Sequence, residues 1–149
     1  MKAPELFSDE DRVLIKAMIG EAEKMTSGEI RVYIDDDCKE DVMDKAAFVF
    51  EELKMHQTDQ RNGVLIYLAL NDHKFAIIGD AGIHAKVGND FWSRIKGEMA
   101  KLLSESRYRD ALVYGIREAG EQLQHYFPYQ RDDKNELPDD IVFGKGDVK

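Results

Sequence analysis

Seven consecutive apolar residues, at positions 64–70, lie near the middle of this chain. The run is too short for a typical helix, and its β-branched residues and its tyrosine favour a strand. Because none of its side chains is charged or amide-bearing, we expect the strand to be buried on both faces, at the centre of a sheet.

Two further apolar runs predict strands beside this one. Residues 29–34 alternate, with Ile30, Val32 and Ile34 on one face, and residues 75–78 follow the central run after a short turn. A predicted helix at about 41–54 joins the first two strands, so these strands should be parallel with a right-handed crossover. The short turn makes the third strand antiparallel to the second, and the sheet is therefore predicted to be mixed.

Helical periodicity and capping residues predict three more helices. The first begins after Ser8, a good N-cap followed by three acidic residues, and Gly28 is a suitable stop for it. Its apolar stripe includes Leu14 and Met25, with Ile15 beside them. Helices from about 89 and at about 108–126 follow. After Pro128 the composition becomes polar, and the cluster at 141–143 either packs back or stays disordered.

Composition sets limits on the partners. The 149 residues carry a net charge of −9, which repels nucleic acid and anionic membranes and favours divalent cations and basic partners. Simple solubility is the alternative explanation of this acidity. The single cysteine, Cys38, excludes an internal disulfide and fits a reducing compartment. Since no signal-peptide core or membrane-length apolar run is present, we expect a soluble cytoplasmic protein.

The predicted topology brings three short motifs to one edge of the sheet. They occupy residues 26–29, 61–63 and 79–82, and we call the edge that they share the motif edge. Glu29 and Asp80 would meet Asn62 and Arg61 there, and two carboxylates with an amide are suitable ligands for a hard cation. A Gly-rich turn after the third strand would let the backbone approach a ligand, and two residues could fold back towards it, His84 and Asp90.

The same motifs have a purely structural interpretation. On that interpretation Gly28 only ends a helix, the Asn-Gly pair only begins a strand, and Glu29 with Arg61 is a surface ion pair. Both interpretations stay open on the sequence alone.

The opposite edge gathers a second set of acidic residues, which we call the acidic edge: Asp35, Asp36, Asp37, Asn71 and Asp72. Ligands of open α/β sheets bind beyond the carboxyl ends of strands. An apolar strand followed by Asp-x-Asp is also typical of aspartyl-phosphate phosphotransferases, although Lys39 stands where those enzymes have Thr or Val. The alternative is a solvated loop leading into a helix N-terminus. No Walker A, Rossmann, Gly-x-Ser-x-Gly or His-Glu-x-x-His motif occurs.

In order and spacing, five segments together resemble the TPM domain family: residues 26–32, 61–66, 78–83, 91–92 and 108–116. The resemblance covers residues 7–128, with 129–149 as a polar tail, and it is closest to the small soluble bacterial members. It implies an α/β/α sandwich, with a small mixed sheet of three or four strands flanked by four or more helices.

The resemblance also implies function. TPM domains are associated with divalent-cation binding, mainly of calcium, and with modest acid-phosphatase activity, while others assist repair or assembly of membrane complexes. Exported members carry Tyr near the position of Asp80 and Glu near that of His84, and Thr-Asp near Asn89-Asp90. A histidine in place of that glutamate removes a hard oxygen donor.

Our leading hypothesis is therefore a site for Ca²⁺ or Mg²⁺ formed by Asp80, Glu29 and Asp90, with weak metal-dependent phosphatase activity. No nucleophile with an adjacent base is evident, so no catalytic residue is assigned. The alternative is a non-catalytic interaction or assembly module for a partner with a basic surface.

Overall fold

The structure, a computed structural model, describes residues 3–129 and 141–144. Its elements, in chain order, are α1 (Ala3–Leu6), α2 (Asp9–Glu23), β1 (Glu29–Asp35), α3 (Val42–Glu52), a 3-10 turn (Met55–Gln57), β2 (Gly63–Ala69), β3 (Lys74–Gly79), α4 (Ala81–Ser104), α5 (Tyr108–Tyr126) and β4 (Val142–Phe143).

The predicted sheet topology is confirmed. The strand order is β3-β2-β1-β4, in which β1 and β2 are parallel and β2 and β3 are antiparallel. Every residue of β2 is buried, as its unbroken apolar sequence predicts. Part of the tail packs back: Val142 and Phe143 pair parallel to Tyr33 and Ile34 of β1.

Two apolar layers cover the sheet, so the α/β/α sandwich is confirmed. On one face, α2, α4 and α5 bury residues such as Ile19, Met99 and Ile116 against the even-numbered side chains of β1 and β2. On the other face, α3 and the 3-10 turn bury Val49 and Met55 against the odd-numbered side chains of β2. The polar residues at each edge of the sheet therefore lie between two apolar layers.

The first long helix, α2, departs from prediction at its end. The helix stops at Glu23, and Gly28 has no positive φ angle, so the prediction that Gly28 ends it is wrong. A Cβ atom on Gly28 would lie 2.7 Å from Leu123 Cδ2, which explains why this position is a glycine. Leu14 is also more exposed than predicted, because Ile15 and Ile19 make the fully buried stripe.

The segment after β3 is a helix, not a turn. Asp80 is the N-cap of α4, and Gly82 lies in its first turn. The glycine is required because a Cβ atom there would lie 2.1 Å from the carbonyl oxygen of Gln60. The helix that we predicted from about 89 is the second part of α4, beyond a break at Gly88, whose φ and ψ are 74° and 177°.

Candidate functional site

Backbone hydrogen bonds join the three motifs at the motif edge, as the topology predicts. The Glu29 amide donates to the Asn62 carbonyl oxygen (3.4 Å), and the Asp80 amide donates to that of Gly63 (2.9 Å). The Gly82 amide donates to the Arg61 carbonyl oxygen at 2.8 Å. This edge is therefore a single assembly, in which the first turn of α4 lies directly on the loop before β2.

The carboxylate of Asp80 is occupied by protein groups. Arg61 binds it with both arms of its guanidinium, through Nε to Oδ2 (2.7 Å) and Nη2 to Oδ1 (2.8 Å). Oδ1 also accepts the Ala81 amide at 2.8 Å, as an N-cap does. The hydrogen bond and charge of Asp80 raise the pKa of Arg61. Asp80 is 6% exposed and the Arg61 side chain 52%, so the pair is half accessible to water.

Met55 separates the two predicted carboxylate ligands. Glu29 lies opposite Gly63, and the continued register of β2 and β3 puts Gly63 opposite Asp80, so the two Cα atoms are roughly 10 Å apart. The space above Gly63 is filled, because a Cβ atom there would lie 3.1 Å from the Met55 carbonyl oxygen and 3.6 Å from its Cε. Met55 is itself fully buried.

The remaining predicted residue, Asp90, lies apart from this pair. It is exposed, two residues past the break at Gly88 in α4. The neighbouring His84 is used by the fold, because its Nδ1 accepts from Trp92 Nε1 at 3.1 Å. Within residues 3–129 and 141–144 no three His, Cys, Asp or Glu side chains are grouped closely enough to hold a metal ion. As they lie, Asp80, Glu29 and Asp90 do not fit a calcium site, and cation binding stays a prediction.

The rest of the motif edge consists of polar contacts that fix the loop before β2. Asn62 is buried; its backbone amide donates to Thr58 Oγ1 (3.2 Å), and its Nδ2 donates to Ser27 Oγ (3.3 Å). The Thr26 hydroxyl donates its one proton to a position shared by the carbonyl oxygens of Leu123 and Phe127, at the end of α5. These contacts support the structural interpretation of the first two motifs.

Sequence reasoning missed the partner of Arg61. The sequence suggests a pair between Arg61 and Glu29, but the guanidinium binds Asp80 instead. The information was present in the predicted register, because the residues just before β2 and just after an antiparallel β3 are neighbours in space.

The first carboxylate of the acidic edge, that of Asp35, is also engaged by other groups of the protein. Asp35 is 1% exposed, and its Oδ2 accepts the Tyr67 hydroxyl at 2.6 Å. The backbone of Gly144 covers the other oxygen, since a Cβ atom on that glycine would lie 1.7 Å from Asp35 Oδ1. Burial, followed by the hydrogen bond and charge of Asp35, raises the pKa of Tyr67. Asp35 is thus an acceptor inside the fold, and the geometry opposes its use as a phosphoryl nucleophile.

Arg61 also lines a hollow beside α3. Its volume is about 290 Å³, and its lining consists of Ala47, Phe50, Glu51, His56 and Arg61. Two of these side chains, the imidazole of His56 and the carboxylate of Glu51, are of types that form covalent intermediates in enzymes, and no hydroxyl, thiol or aspartate accompanies them.

Comparison with known proteins identifies the fold and family. The TPM domain model matches residues 2–122. This chain belongs to the TPM domain family. The BA42 protein from the psychrophilic bacterium Bizionia argentinensis is 42% identical and superposes with a TM-score of 0.86, over 93% of this chain and 95% of that one.

Two more distant TPM-fold structures agree in fold alone. The N-terminal domain of a P. gingivalis protein is 15% identical, with a TM-score of 0.67 over 84% of this chain and 83% of that one. The N-terminal domain of cg2496 from Corynebacterium glutamicum is 14% identical, with a TM-score of 0.63 over 78% and 74%. Comparison with curated proteins gives no significant match. No helix within the described residues has the length and hydropathy to cross a bilayer.

Proposed function

We propose that this TPM domain is a non-catalytic interaction module that works in the cytoplasm. The observation that carries the proposal is the engagement of Asp80, whose carboxylate both caps α4 and binds Arg61 in a bidentate pair. The net charge of −9 supports a partner with a basic surface, because opposite charge accelerates encounter and selects against acidic partners.

A phosphomonoester assay tests the non-catalytic part of this proposal. We expect the full-length protein to hydrolyse p-nitrophenyl phosphate no faster than buffer, with or without added Ca²⁺ or Mg²⁺, at acidic and neutral pH. Metal-dependent turnover that disappears in Asp80→Ala would overturn the proposal. Turnover that disappears in Asp35→Asn but persists in Asp80→Ala would overturn it in favour of the acidic edge.

Divalent-cation binding near Asp80 is the second candidate function. The observation in its favour is the half-exposed side chain of Arg61, because water competes with an ion pair at an accessible side chain and weakens it. A cation could therefore replace the guanidinium at Asp80 after a change of Arg61 rotamer. Recruitment of the proposed further ligands, Glu29 and Asp90, would also require Met55 and the segment at Gly88 to move. Weak phosphatase activity belongs to this candidate, as the family resemblance implies.

Calcium titration of Arg61 variants decides this candidate. If Ca²⁺ competes with the guanidinium, Arg61→Ala should bind Ca²⁺ several-fold more tightly than the wild type, and Asp80→Asn should bind it more weakly. Arg107→Ala is the matched control, because Arg107 forms an exposed pair with Asp110 elsewhere. Backbone amide shifts report the location. Saturable shifts that are unchanged in Arg61→Ala and Asp80→Asn would exclude a site at Asp80.

A further inference from the structure

The outer side of β3 is an unpaired sheet edge among the described residues, and of its residues Ala76 and Ile77 are buried. The strand order ends at β3, and no described residue pairs with its outer side. The Asp80 amide bonds the Gly63 carbonyl oxygen, and hydrogen-bonded pairs alternate along an antiparallel ladder. The backbone groups of Phe75, Ile77 and Gly79 therefore point away from β2.

A groove of about 330 Å³ runs along this edge, between α3 and α4, and we call it the β3 groove. Its lining comprises Met43, Ile77, Ile78, Gly79, His84, Asn89, Trp92, Ser93 and Lys96. The two walls differ. The wall on the α3 side is apolar, with Met43 42% exposed beside the half-buried Ile78. The wall on the α4 side presents Ser93 and Lys96 around Trp92.

The charge of the β3 groove is opposite to that of the whole chain. The chain has 30 Asp and Glu residues, yet no carboxylate lines the groove, and Lys96 is its one formally charged residue. Such a wall suits an acidic side chain. The apolar wall across the groove suits an aliphatic one.

We propose that the β3 groove binds an extended segment of a partner protein, which adds to the sheet beside β3. Side chains of an added strand alternate between the two faces of the sheet. Those that face α3 would meet Met43 and Ile78, whereas those that face α4 would meet Ser93 and Lys96. The segment therefore alternates aliphatic residues with polar ones, with an acidic residue at the position opposite Lys96.

This assignment goes beyond the proposed function, because it names a site and a sequence pattern that do not depend on a basic partner surface. A second copy of the chain is the less suitable occupant, since two copies would each bring a net charge of −9. At about 0.15 M salt the Debye length is about 8 Å, so contact with Lys96 outweighs repulsion from the remote acidic surface.

Three short peptides test the predicted pattern. The probe is acetyl-Ser-Thr-Val-Glu-Val-Thr-Ser-amide, which puts both valines on one side of a strand and the glutamate on the other. The control acetyl-Ser-Val-Thr-Glu-Thr-Val-Ser-amide has the same composition, but its glutamate and valines share one side. In the third peptide lysine replaces the glutamate of the probe. We expect the probe to shift the backbone amides of Phe75, Ile77 and Gly79 in the full-length protein, and to bind at least about tenfold more tightly than either control.

Variants of the protein and of the probe separate strand addition from other binding. Lys96→Glu should weaken probe binding about tenfold and restore binding of the lysine peptide. Lys101→Glu is the matched control, because Lys101 is exposed on α4 outside the β3 groove and should leave both affinities unchanged. N-methylation of the first valine and N-methylation of the glutamate, made in separate probe peptides, each remove one backbone donor. Because the amides of adjacent residues point to opposite sides of a strand, only one of the two peptides should lose binding.

Several results would overturn the proposal. One is the absence of shifts in β3 at about 2 mM probe, where a millimolar Kd would be visible. Another is equal binding of the probe and its rearranged control. Slow hydrogen exchange at Ile77 and Gly79 in the free protein would show that the edge is already covered. Covering by a second copy would make that protection depend on protein concentration, and covering by the chain itself would not.

Discussion

Gly82→Ala tests the close approach at the motif edge. The new Cβ atom would lie 2.1 Å from the Gln60 carbonyl oxygen and 2.6 Å from that of Arg61. Both neighbours are backbone atoms, and the Gly82 amide is bonded to the Arg61 carbonyl oxygen at 2.8 Å. The clash can be relieved only if the start of α4 moves away from the loop before β2.

Two opposing effects determine the magnitude. Alanine is favoured over glycine inside a helix by about 1 kcal/mol. Overpacking costs about 1–3 kcal/mol, and the lost hydrogen bond costs about 1 kcal/mol. The free energy of unfolding should therefore fall by about 1–3 kcal/mol, which corresponds to a Tm decrease of roughly 2–12 °C in a domain of this size.

Gly97→Ala is the matched control, measured in the same thermal and urea unfolding experiments. Gly97 lies in α4 and is exposed, and a Cβ atom added to it would meet no other atom within 4 Å. The substitution should therefore stabilise the protein by about 0.5–1 kcal/mol. If Gly82→Ala stabilised the protein as Gly97→Ala does, the contact between α4 and residues 60–61 would not exist in solution.

Two further substitutions probe the break in α4 and the acidic edge. Gly88→Ala should lower the free energy of unfolding in urea by about 1–3 kcal/mol, because alanine is strained at the φ of 74° and ψ of 177° that Gly88 adopts, even though no atom crowds the site. An unchanged free energy of unfolding would argue for a continuous α4. Burial raises the pKa of Tyr67 above 10.0, so the folded state holds this proton more tightly and stability is lost as pH rises above about 10. Above about pH 10, the free energy of unfolding of Tyr67→Phe should fall less steeply with pH than that of the wild type, by up to about 1.4 kcal/mol per pH unit. Parallel plots of unfolding free energy against pH for the two proteins would contradict the raised pKa of Tyr67.

The identity and order of β1, β2 and β3 followed from their apolar sequence patterns, whereas the pairing of β4 with β1 did not follow from the sequence. Every residue of β2 is buried and none is charged. β1 is almost as buried, although Glu29, Arg31 and Asp35 alternate with its apolar residues. The parallel pairing of β1 with β2 followed from the helix that connects them, and the antiparallel pairing of β2 with β3 followed from the short turn between them. These local patterns also predicted the bounds of α5 correctly.

The role of Asp80 could not be read in the same way. A carboxylate after a strand has the same sequence whether it binds a cation, caps a helix or pairs with arginine. The choice depends on three-dimensional neighbours, here Arg61 beside it and Met55 between it and Glu29. Gly82 was misassigned for a related reason: its glycine reflects a close approach of another segment, which resembles a turn signal in the sequence.

The pairing of β4 with β1 has a consequence for the order of folding. Tyr33 and Val142 are partners although 109 positions separate them (142 − 33). Loop closure over such a distance is slow compared with the local pairing of β2 with β3. During synthesis on the ribosome, the outer side of β1 therefore waits for more than a hundred residues to emerge. Until β4 is synthesised, the unpaired edge of β1 can pair with the wrong strand. We therefore expect chaperones to be needed at this edge of the nascent chain more than at edges that form later.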